Sequence, residues 1–169
     1  MKTNFGITPI KKILLRNLTD YTQIKGIFRR SKIDRYIYDI KYNGHTIKYG
    51  ISHQANQQAA DRIYTQIGHM PGWNKPLLKR SDKKTGKAIR DMMAKVSPNF
   101  HKNDVEIDIY DFTNYPFQRD DTVYAEMQNA EEELKEQYYQ QFKKYPAGNI
   151  KQEGIRSIVK NEVLDQLFE

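Results

Sequence analysis

The segment from Tyr36 to Ile51 constrains the fold more than any other part of the chain. Tyr36-Ile37-Tyr38-Asp39-Ile40-Lys41-Tyr42 is dense in β-branched and aromatic residues, which pack well on a pleated surface. Asn43-Gly44 follows, a dipeptide that tolerates positive φ, and Thr46-Ile47-Lys48-Tyr49-Gly50-Ile51 returns. A β-hairpin over residues 34 to 51 is expected, and an isolated hairpin needs more sheet or a covering helix to be stable. Val105 to Phe112 supplies a third strand, with Val105, Ile107, Ile109 and Asp111 alternating against Glu106, Asp108, Tyr110 and Phe112.

Helical spacing marks most of the rest. Thr8 as N-cap, Pro9 in the first turn and the stripe Ile10, Ile13, Leu14 and Leu18 predict a helix over 8 to 19. Residues 20 to 33 read as a connection carrying Lys25, Arg29, Arg30 and Lys32. Ala55, Ala59, Ile63 and Ile67 predict a helix over 54 to 69, ended by Gly68 and Pro71-Gly72. Ile89, Met92, Met93 and Val96 mark a shorter helix over 86 to 96. Ala130, Leu134, Tyr138 and Phe142 lie on a long one from about 121 to 145, stopped by Pro146 and Gly148. A last helix is expected over 152 to 167. The fold class is therefore α+β with a small three-stranded sheet. The 169 residues suit one domain with flanking elements. We divide them into an N-terminal helix and basic connection (1–33), a core (34–149) and a C-terminal helix (150–169).

Charge narrows the function. The chain has 28 Lys and Arg against 21 Asp and Glu, a net charge of +7 that suits a polyanionic partner. It has no cysteine, which excludes disulfides, thiolate metal sites and thiol nucleophiles. Apolar runs such as Ile13-Leu14-Leu15 fall far short of the ~20 residues of a membrane span, so no membrane partner is expected. Lys2 is followed by no continuous apolar stretch, so a secretory signal is not expected either.

The motifs sharpen this. Tyr36-Ile37-Tyr38, then Tyr49-Gly50-Ile51-Ser52, then Arg62 on a helix resemble the signature of the GIY-YIG nucleases. Ala130-Glu131-Glu132-Glu133-Leu134 with Tyr138-Tyr139, and Tyr145-Pro146-Ala147-Gly148-Asn149, resemble that family's closing segment. The Lys48-Tyr49-Gly50-Ile51-Ser52 form is similar to the branch found in bacterial polymorphic toxins and some restriction enzymes. Two positions depart from the pattern: Tyr36 stands for the first motif's Gly, and Lys48 for the second motif's leading Tyr. The resemblance covers about residues 34 to 149 and implies a β-β-α-α-β-α core with extra helices at each end.

It also implies a metal-dependent endonuclease hydrolysing phosphodiester bonds in DNA, with Mg²⁺ or Mn²⁺ as cofactor. In the toxin branch this would be an effector, delivered to a target cell, acting on cytoplasmic nucleic acid and restrained by an immunity protein. A non-catalytic nucleic-acid-binding module and a sequence-specific restriction endonuclease are the alternatives. Tyr38 would be the general base, its pKa lowered by Lys48 and the metal. Arg62 would clamp a phosphate by its fork of donors. Glu131 would bind the metal, with Glu132 the alternative and Glu126 a distant third. Asn149 would orient a water or phosphate, His53 would contact the leaving group or phosphate, and His69, two helical turns after Arg62 on the same face, is a further candidate. Trp73, Lys79, Arg80, Lys83 and Lys84 in a basic loop, with Arg29 and Arg30, would contact nucleic acid.

Register provides a test. Residues directly opposite in a hairpin share a face. With Asn43-Gly44 as a two-residue turn, Tyr38 faces Tyr49 and Lys48 points away. With a three-residue loop, or an equivalent bulge, Tyr38 faces Gly50, and Tyr38 and Lys48 share a side. The nuclease reading requires the second pairing.

Overall fold

The computed structural model describes residues 11–53, 60–74, 84–115 and 123–149, except the side chains of 84–88 and 96. Strands are β1 (Lys11–Leu14), β2 (Tyr36–Tyr42), β3 (His45–Ser52) and β4 (Val105–Asp111). Helices are α1 (Gln23–Ser31), α2 (Asp61–Ile67), α3 (Lys84–Val96) and α4 (Val123–Phe142). The strands form one antiparallel sheet in the order β1-β4-β2-β3, so the hairpin and β4 lie where their alternation placed them.

Both faces of the sheet are covered. Tyr36, Tyr38, Ile40, Ile107 and Ile109 pack with residues of α1, α2 and α3, among them Ile24, Phe28, Ile63, Ile67, Ile89 and Met93. On the other face Ile37, Tyr49, Tyr110 and Phe112 pack against Val123, Met127, Ala130, Leu134 and Tyr138 of α4. Thus α4 keeps the spacing seen in its sequence, and burial of its apolar stripe holds it to the sheet.

Two expectations near the N-terminus are corrected. Residues 11 to 14, placed in a helix from the Ile13-Leu14-Leu18 spacing, form the sheet's fourth strand. Lys12 pairs with Asp108 and Ile13 with Ile107, so charge meets charge on one face and apolar meets apolar on the other. A short apolar run fits both periods, and its partner strand decided. The start of that expected helix, residues 8 to 10, and the expected helix over 152 to 167 lie outside the described residues.

The connection over 20 to 33 contains α1 instead. Its signal was present: Ile24, Ile27 and Phe28 share a helical face, and Gln23 caps the start. The Gln23 Oε1 accepts from the Thr19 and Asp20 amides at 2.8 and 3.0 Å. Lys32, left-handed at φ 54°, closes the helix. Gly26 in the middle masked the pattern. Among the described residues no helix is long and apolar enough to cross a membrane.

Candidate active site

The turn and the register separate two things that the sequence left coupled. Asn43 and Gly44 take φ 49° and 83°, and Tyr42 pairs with His45, as in a two-residue turn. Continued unbroken, that register would set Tyr38 opposite Tyr49. A bulge intervenes at Ile40/Lys41, where β3 carries the extra residue Ile47. Beyond it Ile40 pairs with Lys48 and Tyr38 with Gly50. The bulge, not a three-residue loop, therefore brings Tyr38 and Lys48 to one face, the face covered by α1 to α3.

Tyr38 is 1% exposed, and its ring crosses β3 at Gly50, where a Cβ would overlap the phenol. The phenol hydrogen-bonds the exposed guanidinium of Arg62, on the first turn of α2. Burial pushes the phenol above its ordinary range. The Arg62 charge pulls it back in part, and the nearby Glu131 carboxylate pushes it up again. Tyr38 therefore holds its proton in the resting protein. Lys48, expected to lower it together with a metal, donates its Nζ to the Gln66 Oε1 at 2.9 Å, one turn along α2 from Arg62.

Glu131 projects from α4 with 15% of its side chain exposed, against 67% for Glu132. It is the glutamate whose charge reaches Tyr38, which favours it over Glu132. Both carboxylates contact the buried Lys135 ammonium, Glu131 at 2.7 Å and Glu132 at 3.0 Å. Among the described residues no three His, Cys, Asp or Glu side chains gather as a metal cage. A single carboxylate can suffice for Mg²⁺, which is commonly held by one or two carboxylates, waters and substrate phosphate, and Glu131 is the side chain that could supply it.

Other expected residues lie elsewhere or do other work. Both side-chain groups of Asn149 are spent on Tyr49 of the edge strand β3: Oδ1 accepts from its amide and Nδ2 donates to its carbonyl, each at 2.8 Å. His53 is exposed and lies against the Tyr124 ring at 4.4 Å. His69 is 8% exposed and lies just beyond the end of α2. Trp73 donates its indole N–H to the Ile67 carbonyl at 3.0 Å, and the Lys102 ammonium lies over its ring. Lys79, Arg80 and Lys83 lie outside the described residues, and Lys84 begins α3 with its side chain undescribed. Arg29 and Arg30 are exposed in the last turn of α1.

Three residues were missed as part of the cluster. Tyr36, read only as a replaced glycine, hydrogen-bonds Ser52, and its ring lies 6.3 Å from that of Tyr38. Its i, i+2 relation to Tyr38 was the available signal, since such strand residues share a face. Gln66, four residues after Arg62, holds Lys48. Ser52, opposite Tyr36 in the register, completes the end of the hairpin.

In comparison with known proteins, the chain matches no family model, no curated protein and no solved structure.

Proposed function

We propose that this chain is a phosphodiesterase of the GIY-YIG type, cutting nucleic acid with one divalent cation. The observation that carries the reading is that the Arg62 guanidinium of α2 hydrogen-bonds the Tyr38 phenol of β2, with Glu131 of α4 near enough for its charge to act on that phenol. The resemblance in sequence names those same three residues, and the bulged register it required is present. The β-β-α-α-β-α order of its core also agrees with the element order from β2 to α4. DNA as substrate, a toxin role and an immunity partner rest on the sequence resemblance alone.

The chemistry follows from the side chains. Arg62 is exposed and can offer donors to a phosphate oxygen while holding the Tyr38 phenol. Tyr38 presents an O–H that can donate to the attacking or leaving oxygen, and it becomes a base only when further positive charge lowers its pKa. Lys48, steadied by Gln66, adds a cation to the same face of the sheet. Glu131 would hold the metal once Lys135 yields, and the bound cation would stabilise charge developing on the phosphate.

The test is digestion of plasmid, single-stranded DNA and RNA side by side, with Mg²⁺ and with EDTA. The wild type should cut at least one substrate in Mg²⁺ and none in EDTA. Tyr38→Phe, Arg62→Ala and Glu131→Gln should each lower the rate about 100-fold or more. Tyr38→Phe keeps the ring and its packing, so wild-type cutting by that variant ends the reading. Two observations favour the binding-module alternative: the phenol is raised, and Glu131 is held by Lys135. Binding without cutting under every condition would select it.

A further inference from the structure

A cleft of about 350 Å³ opens between α1 and the start of α2, lined by Lys25, Phe28, Arg29, Lys32, Asp34 and Ala60 among others. Its cations Lys25, Arg29 and Lys32 are all exposed, and Asp34 is the single carboxylate among the described residues of the lining. They recur at i, i+4 and i+7, so they run along one side of α1 and past its end. Two links join this cleft to the Tyr38 cluster. Phe28 in its wall stacks on Tyr36 at 4.7 Å, and Tyr36 adjoins Tyr38. Ala60 in its wall lies two residues before Arg62.

We propose that this cleft seats the sugar–phosphate backbone of the strand being cut, next to the phosphate under attack, with Lys25, Arg29 and Lys32 as its phosphate contacts. The proposal rests on the phosphodiesterase reading and adds an element that precedes the hairpin and its motifs. From Lys25 to Lys32 the chain advances about 10 Å at ~1.5 Å per residue, the axial length of about three base steps of a duplex at ~3.4 Å each. Arg30 belongs to another groove of about 270 Å³, lined also by Lys11 and Lys12. There Lys12 is already held by Glu106 and Asp108 at 3.2 and 3.0 Å. The two adjacent arginines of α1 thus serve different surfaces, and only the one on the cleft should matter to the substrate strand.

The experiment measures binding of fluorescein-labelled single-stranded and duplex oligonucleotides to the full chain in EDTA, across a salt series, by anisotropy. Lys25→Glu/Arg29→Glu is compared with Lys11→Glu/Arg30→Glu, which changes net charge equally on the other groove. The cleft variant should bind about 10-fold or more weakly, and its salt slope should fall by about two phosphate contacts. The control should stay close to wild type. Lys25→Gln/Arg29→Gln, with circular dichroism on all three, separates lost contacts from a damaged helix. Equal loss in both charge-reversed variants means diffuse attraction and overturns the cleft. Unchanged binding by the cleft variant, in a protein that binds and cuts, overturns the cleft and leaves the phosphodiesterase reading intact. A wild type that neither binds nor cuts removes both.

Discussion

Gly50 is required by a neighbour and not by its own backbone. Its φ is unremarkable, yet any side chain there would enter the space of the Tyr38 phenol. The Tyr-Gly-Ile text of β3 is thus the imprint of a tyrosine on β2, read one strand away. Gly50→Ala should cost about 1–3 kcal/mol, the usual range for overpacking, when urea unfolding is measured. In a Tyr38→Leu background the same change should cost less, because the shorter side chain does not reach across the strand. An equal cost in both backgrounds would show that the two residues do not press on each other. Tyr36 was legible as a strand residue but not as a partner of Tyr38, since a replaced motif glycine gives no hint of its new contacts.

β3 is an edge strand, and it is closed by one side chain. Asn149 gives the Tyr49 backbone the two hydrogen bonds that a further strand would have given. Gly148 lies close against it, since a Cβ there would meet the Lys48 Cβ at 2.9 Å and the Ile47 carbonyl at 3.0 Å. The turn at Ala147–Asn149 thereby braces the strand that carries Lys48 and Gly50. Asn149→Ala should destabilise the chain by about 1–3 kcal/mol through the unpaired backbone groups it leaves. Hydrogen exchange at the Tyr49 amide should quicken before that of amides in β4, and unchanged protection there would refute the brace. In the sequence this asparagine was visible as the end of the closing segment and as a candidate to orient a water or phosphate, not as a brace, because a contact with Tyr49, 100 residues away, leaves no periodic trace.

The stability of the whole molecule should depend on pH through a pair of carboxyls under α4. Asp39 and Asp108 sit directly opposite each other on β2 and β4. Asp39 is 2% exposed and accepts from Thr46 at 3.1 Å, with Lys41 at 3.7 Å. Tyr49 lies opposite it on β3, and the Tyr49, Tyr110 and Tyr138 phenols are near enough to feel its charge. Burial pushes its pKa up to about 7, with Lys41 and Thr46 opposing and Asp108 adding to the rise. Burial also raises Asp108, but hydrogen bonds from Lys41 and Lys12 outweigh it and hold that group below the usual carboxylate value. The folded protein therefore keeps a proton on Asp39 that the unfolded chain releases near pH ~4. Stability should fall as pH rises from about 4 through about 7, whereas the contribution of Asp108 is lost only at more acid pH. Asp39→Asn should flatten the Tm profile between pH 5 and 8 and gain most over wild type at pH 8. A wild-type Tm that climbs across that interval would contradict the buried, protonated carboxyl.

What the sequence determined by itself was whatever repeats locally. The hairpin, β4 and the apolar stripe of α4 follow from periods of two and of three to four residues, and from turn chemistry at Asn43-Gly44. The motif residues also named Tyr38, Arg62 and Glu131 as a candidate group. Only the tertiary structure decided that residues 11 to 14 are a strand, since β4 supplies their partners. It alone placed the bulge at Ile47, tied Lys48 to Gln66 and spent Asn149 on Tyr49. Those outcomes depend on which distant surfaces meet, and short-range periodicity carries no record of that.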